Sequence, residues 1–343
     1  MTPGTRSCGS AVYMRDSEAE IHRTAELLQE GRFAEVLSLL ESRGAGDVAF
    51  SPTLALHCAI AHGRMGRHEE SVRWVELALE RARAVGDTAL HARALDVRGA
   101  IALDAGCLDE AEGHFRAALS EADGVADHAI VGKCCSNLGV VANVRGRHNE
   151  AVVCYTMAMV AYRRAGLERG VAETQNNLWI THRDRGDLPS ALEAANRAVR
   201  LAEKTADRAL LALALRGRAE IHVLSGDPHP ALREIQLALK LRREVGDVTG
   251  EAGDLRVLGL VEAALGRRAA AERTLRTVLE RARRYGRPHL AAETGRALFE
   301  LLADQGRVTA ARDMARSARV RFSRLGATAE VERLDRLMET CLG

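Results

Sequence analysis

Aromatic residues are nearly missing. Five Phe, two Trp and four Tyr make up 3% of the 343 residues. Sheets draw on aromatic and β-branched side chains, so this shortage argues against a β protein. Proline is scarce at six residues, which leaves few obstacles to helix. Lysine is reduced to Lys133, Lys204 and Lys240, so arginine carries almost all the positive charge. No run approaches the ~18 apolar residues that a membrane-spanning helix needs. The first residues, Met1 to Arg15, have no apolar stretch of the secretory kind; residues 1–15 read as a disordered leader. Seven cysteines form an odd set without framework spacing, which reads as reduced and cytoplasmic.

Catalytic and cofactor signatures are also missing. There is no GxxxxGK[ST], no GxGxxG after a strand, no HExxH and no CxxC. The vicinal Cys134 and Cys135 cannot both face one metal, because helical neighbours point about 100° apart. No cofactor, metal site or enzymatic activity is expected. Net charge is +2, so no global field selects nucleic acid or membrane. From residue 266 onward 17 Arg face 10 acids, a local excess that could suit nucleic acid. The near absence of stacking aromatics speaks against that use.

What is present is a repeat. Glycines stand at 66, 106, 146, 186, 226, 266 and 306, each 40 residues after the last, with Gly31 as an eighth copy. Each glycine follows a stretch of helical periodicity and precedes a second amphipathic stretch. A second breaker comes 20 residues later at Gly86, Gly166, Gly246, Gly286 and Gly326, with Ala126 and Ala206 in the same slot. Glycine ends helices because it takes a left-handed cap cheaply. The pattern predicts eight helical hairpins, numbered one to eight by their turn glycines. Alanines recur five residues after the turn from Ala111 to Ala311, and twelve after it from Ala78 to Ala238 and again at Ala318. Small residues there let helices cross closely. A lone amphipathic stretch, 328–341, reads as the cap that closes the last apolar face.

The Leu138-Gly139, Gly146, Ala151 and Ala158-Met159 set, and the Leu258-Gly259, Gly266 and Ala271 set, resemble the tetratricopeptide repeat family. The period of 40 is similar to the long variant found in kinesin light chains and bacterial signalling regulators. A period near 40 also fits HEAT repeats, although the turn and alanine positions follow the tetratricopeptide pattern. The resemblance covers residues 16–343. It implies an all-α, right-handed superhelical solenoid of seventeen helices, with first helices lining a concave groove.

Slots 13, 10, 9, 6, 3 and 2 before each turn glycine share one face of the first helix. Polar residues concentrate there on hairpins four and five: Lys133, Asn137 and Asn143; Glu173, Asn176, Asn177 and Arg183. Hairpin six adds Arg216 and Glu220, and hairpin seven offers Arg256 on a more apolar floor. Asparagine both donates and accepts, so Asn137 and Asn177 suit a peptide backbone. With Lys133 they are similar to part of the carboxylate clamp of chaperone-binding members, whose remaining slots hold Leu213 and Gly217 here. His62, His182 and His222 occupy one equivalent slot and read as helix-contact histidines. Trp179 reads as filling a gap between hairpins. The expected function is a scaffold or adaptor that holds a protein or peptide in the groove. The alternative is a bacterial regulator that senses a peptide or small molecule and controls a separate effector.

Overall fold

The computed structural model describes residues 8–41 and 51–342. Among them are seventeen helices and no strand. In chain order these are α1 (Cys8–Gln29), α2 (Phe33–Glu41), α3 (Pro52–Arg64), α4 (His68–Val85), α5 (Thr88–Asp104), α6 (Leu108–Gly124), α7 (His128–Val144), α8 (His148–Arg164) and α9 (Glu168–Asp184). They continue as α10 (Leu188–Thr205), α11 (Arg208–Leu224), α12 (Pro228–Glu244), α13 (Val248–Ala264), α14 (Arg268–Arg284), α15 (Pro288–Ala303), α16 (Val308–Arg324) and α17 (Thr328–Leu342). Helix α1 starts at Cys8, inside the stretch expected as a leader; Ala11, Tyr13, Met14 and Arg15 extend the first helix of hairpin one. Residues 1–7 lie outside the described residues.

Every turn glycine ends its helix as the sequence predicts. Gly31, Gly66, Gly106 and their counterparts all have φ between +60° and +80°. The turn closes by backbone bonds that satisfy the orphan carbonyls of the last turn. In hairpin four these run from Gly146 N to Asn143 O at 2.9 Å and from Arg147 N to Ala142 O at 2.8 Å. Ala126 and Ala206 take the same left-handed conformation, at φ 54° and 53°. The aspartate after the second breaker then starts the next helix. Asp127 Oδ1 accepts from Ala129 N and Ile130 N, and Asp207 Oδ1 from Leu210 N. Such caps contribute about 0.5–2 kcal/mol each.

The alanine positions are the crossing points. Ala111, Ala151, Ala191, Ala231, Ala271 and Ala311 have no exposed surface, and neither do Ala78, Ala118, Ala158, Ala198, Ala238 and Ala318. The glycine of the Leu-Gly pair serves the same end. A Cβ on Gly139 would sit 2.5 Å from the Tyr155 ring, and one on Gly259 would sit 2.7 Å from Leu275 Cδ2.

Contacts divide the chain into two units. One comprises Met1–Ala102 and Gly113–Ala126; the other comprises Leu103–Glu112 and Asp127–Gly343. The first unit has its own core around Leu56, Val75, Leu79 and Leu90. In the second, each first helix touches the first helix of the next hairpin: α7 with α9, α9 with α11, α11 with α13, and α13 with α15. Second helices pack mainly on first helices. The second unit is therefore tighter along its first helices, and these form its inner face.

A non-glycine residue in the left-handed region costs roughly 1–2 kcal/mol. Ala206→Gly should raise stability in urea denaturation by about 0.5–1 kcal/mol, after subtracting glycine's extra chain entropy. A loss of stability would contradict strain at this cap.

Candidate functional site

The inner face of the second unit is held by charges. Arg183 of α9 donates from Nη1 to Glu220 of α11 at 2.7 Å. Arg256 of α13 donates from Nη2 to the other Glu220 oxygen at 2.6 Å. Arg256 Nε also lies 3.5 Å from Glu293 of α15. These four residues stand at slots 3, 6, 10 and 13 before their turn glycines. Each step therefore moves about one helical turn, and the ladder climbs diagonally across hairpins five to eight. The side chains of Arg183, Glu220 and Arg256 are 8%, 6% and 7% exposed.

The ladder continues at both ends. Arg183 also holds Asp184 at 2.8 Å, and Asp184 accepts from Asn143 Nδ2 of α7 at 3.2 Å. Arg333 of α17 lies 3.8 Å from Asp184 and 3.9 Å from Glu330. Glu330 lies 3.8 Å from Arg296 of α15, one turn from Glu293. Glu293, Arg256, Glu220, Arg183, Asp184, Arg333, Glu330 and Arg296 form a run of eight charges with strictly alternating sign.

Burial alone would raise the Glu220 and Glu293 carboxyls. For Glu220 the guanidinium groups of Arg256 and Arg183 outweigh burial and hold it below its usual range. For Glu293, Arg256 and His289 pull hardest and bring it down to about 2. A second cluster behaves oppositely. Asp254 of α13 is fully buried, and burial pushes its carboxyl up to about 6 although Arg216 and Arg242 flank it. Arg216 Nη1 is 3.8 Å away and Arg242 Nε is 3.4 Å away. Neither Asp254 oxygen has a hydrogen-bond partner. Glycines make room for both arginines: a Cβ on Gly253 would lie 2.3 Å from Arg216 Nη1, and one on Gly250 would lie 2.5 Å from the Arg242 guanidinium.

The sequence-derived groove residues thus divide into two sets. Arg183, Glu220 and Arg256 bind each other rather than lining an open surface. Asn176 is buried, and its Oδ1 accepts from Trp179 Nε1 at 3.0 Å. Asn143 is tied to Asp184 and to His148. Glu173 pairs with Arg169 at 2.9 Å, which also reaches Asp207. Arg216 is half-buried beside Asp254. Lys133 is exposed, and Asn137 is half-buried one turn along the same face of α7; both keep contacts within the chain. Asn177 is half-buried on α9, one repeat on from Asn137. Glu293, Glu330, Arg296 and Arg333 were missed from the sequence, whereas Asp184 stood on the expected face at slot 2 without being singled out. The signal for Glu293 was alternating charge 37, 36 and 37 residues apart from Arg183 onward.

Residues 134–204 and 170–244 match the sequence model of the tetratricopeptide repeat. That span covers hairpins four to six, and the hairpins on either side repeat its pattern. No curated protein matches the chain in sequence. Among solved structures, a Rap protein complexed with competence and sporulation factor superposes with a TM-score of 0.79 at 14% identity, over 94% of this chain and 88% of that one. The Rap conjugation gene regulator of plasmid pLS20, in complex with the Phr* peptide, gives 0.66 at 14%, over 88% and 79%. Aspartyl phosphate phosphatase F from Bacillus subtilis gives 0.54 at 13%, over 98% and 96%. At such identities these likenesses establish the fold: an all-helical tetratricopeptide-type stack resembling bacterial regulators.

Removing one member of a buried pair leaves the other charged and unpaired, at a cost of about 3–5 kcal/mol. Glu220→Ala should approach that loss in urea denaturation, because it leaves buried Arg183 with only Asp184 and buried Arg256 with only Glu293, 3.5 Å away; a loss below about 1 kcal/mol would contradict the ladder. Asp254 should give the opposite pH signature to Glu293. Its carboxyl sits above the ordinary 3.8, so its contribution is full below about pH 4 and is lost as pH rises through about 6. Relative to Asp254→Asn, the native chain should lose stability between pH 4 and 6. Parallel curves would contradict the raised carboxyl.

Proposed function

We propose that the chain is a binding protein that holds a partner polypeptide against the inner face of hairpins four to six. The observation that carries this reading is the difference between neighbouring polar side chains. Arg183, Glu220 and Arg256 are buried among themselves, whereas Lys133, Asn137 and Asn177 remain exposed or half-buried on α7 and α9. Their two asparagines sit at the same slot of successive repeats. An extended backbone can take hydrogen bonds from such a pair at a regular interval without regard to its side chains. The similar Rap structures, one with competence and sporulation factor and one with the Phr* peptide, support a polypeptide ligand. Binding rather than catalysis is the role we assign, with the cytoplasm as its site and no bound cofactor.

A regulator is the second reading, favoured by the similarity to a conjugation gene regulator. In it the ligand is a signal, and the change in the stack alters the hold on a separate effector protein.

Each asparagine–backbone bond contributes about 0.5–1.5 kcal/mol. Asn137→Ala combined with Asn177→Ala should therefore weaken capture of peptides from a random nonapeptide pool by about tenfold or more. The urea midpoint should move far less than the buried-pair variants move it. Unchanged capture by the double variant would overturn the assignment of this face.

A further inference from the structure

Helix α8 carries a row of exposed apolar side chains. Val153, Met157 and Val160 are 58%, 51% and 44% exposed. They follow one another at steps of four and three residues, which sets them on one face of the helix. The opposite face, with Ala151 and Tyr155, is the buried one. At the same slots α10 holds Glu193, Arg197 and Arg200, and α14 holds Arg273, Thr277 and Glu280. Among the described residues no other helix exposes two large apolar side chains within two turns. A lone exposed apolar residue needs no explanation, whereas a row on one face points to a contact.

Opposite charges bound the row. Glu150 stands seven residues before Met157, in the first turn of α8, and Arg164 stands seven residues after it, in the last turn. Positions 150, 153, 157, 160 and 164 alternate steps of three and four, the spacing of a coiled-coil seam. Arg164 is exposed and has no carboxylate partner among the described residues. Glu150 is 42% exposed and holds Arg147 at 3.0 Å. Arg147 also has Glu112, so Glu150 can turn to another cation without stranding it.

Such a row is complementary to itself. When two copies of α8 lie antiparallel with Met157 on the two-fold axis, Val153 meets the second copy's Val160 to within one residue's rise of about 1.5 Å. Glu150 then meets the second copy's Arg164. Each contact forms twice, as a closed two-fold pairing requires. A parallel pairing would set Glu150 on Glu150 and Arg164 on Arg164, so the charges select the antiparallel one. Antiparallel helices also bring opposite ends of their dipoles together.

From this self-complementarity we propose that the outer face of α8 is the interface of a homodimer, in which a second copy of this chain covers Val153, Met157 and Val160. The inner face on α7 and α9 takes no part in it, so dimer formation and polypeptide capture are separate properties.

One helix pair is a small interface and associates at micromolar order, so sedimentation of the full chain from about 1 to 200 μM should show monomer passing to dimer. Met157→Glu should stay monomeric over that range, with its urea midpoint and its capture of nonapeptides unchanged. Glu150→Arg or Arg164→Glu alone sets like charges together and should weaken association at least about tenfold. The two combined restore opposite charges, and association should return to within about threefold of the native chain. A native chain that is monomeric at the top of the range would overturn the interface. So would a dimer that survives Met157→Glu, or charge reversals that fail to rescue one another.

Discussion

A charge taken out of water must be met by another, and the inner face of the second unit is organised around that requirement. Eight residues alternate in sign from Glu293 through Arg183 to Arg296. The Coulomb gain inside must offset the desolvation of every member, and does so only when each charge has partners on both sides. Glu220 has two, drawn from the hairpins on either side, and Arg183 has Glu220 from the next hairpin and Asp184 from its own. The register of one hairpin against the next is thereby fixed: a slip of one residue would turn each side chain by about 100° and break the ladder.

This constraint sits on a frame that apolar packing provides. Alanines at the crossings bring helices close, and glycines end them at a fixed phase, so the same slots meet in every repeat. The frame made the fold legible in the sequence. The spacing of Gly66 to Gly306, the alanine ladder and the 328–341 stretch foretold the hairpins and the terminal helix with nearly their observed bounds. Ala126 and Ala206 stood in for glycine and adopt its conformation.

The site was less legible because its partners lie one repeat away. Slots 13, 10, 6 and 3 were correctly placed on one face, but a face read on single helices shows Arg183, Glu220 and Arg256 as surface charges. Only a reading along the diagonal pairs Arg183 with Glu220 and Arg256 with Glu293. Asn176 was misplaced for a similar reason, since Trp179 one turn away takes its oxygen and carries it into the core. Arg333 lies about 150 residues beyond Asp184 in the chain, and nothing in the 40-residue period brings them together.

Function then depends on what this run of charges leaves over. The polar residues not absorbed by it gather on α7 and α9. The most direct test of the account is a double-mutant cycle between Glu220 and Arg256, using Glu220→Gln, Arg256→Gln and their combination, read by urea denaturation. Close charge pairs couple by about 1.5–7 kcal/mol, and the account predicts a coupling within that range. A coupling within about 0.5 kcal/mol of zero, the limit of additivity for independent sites, would contradict it.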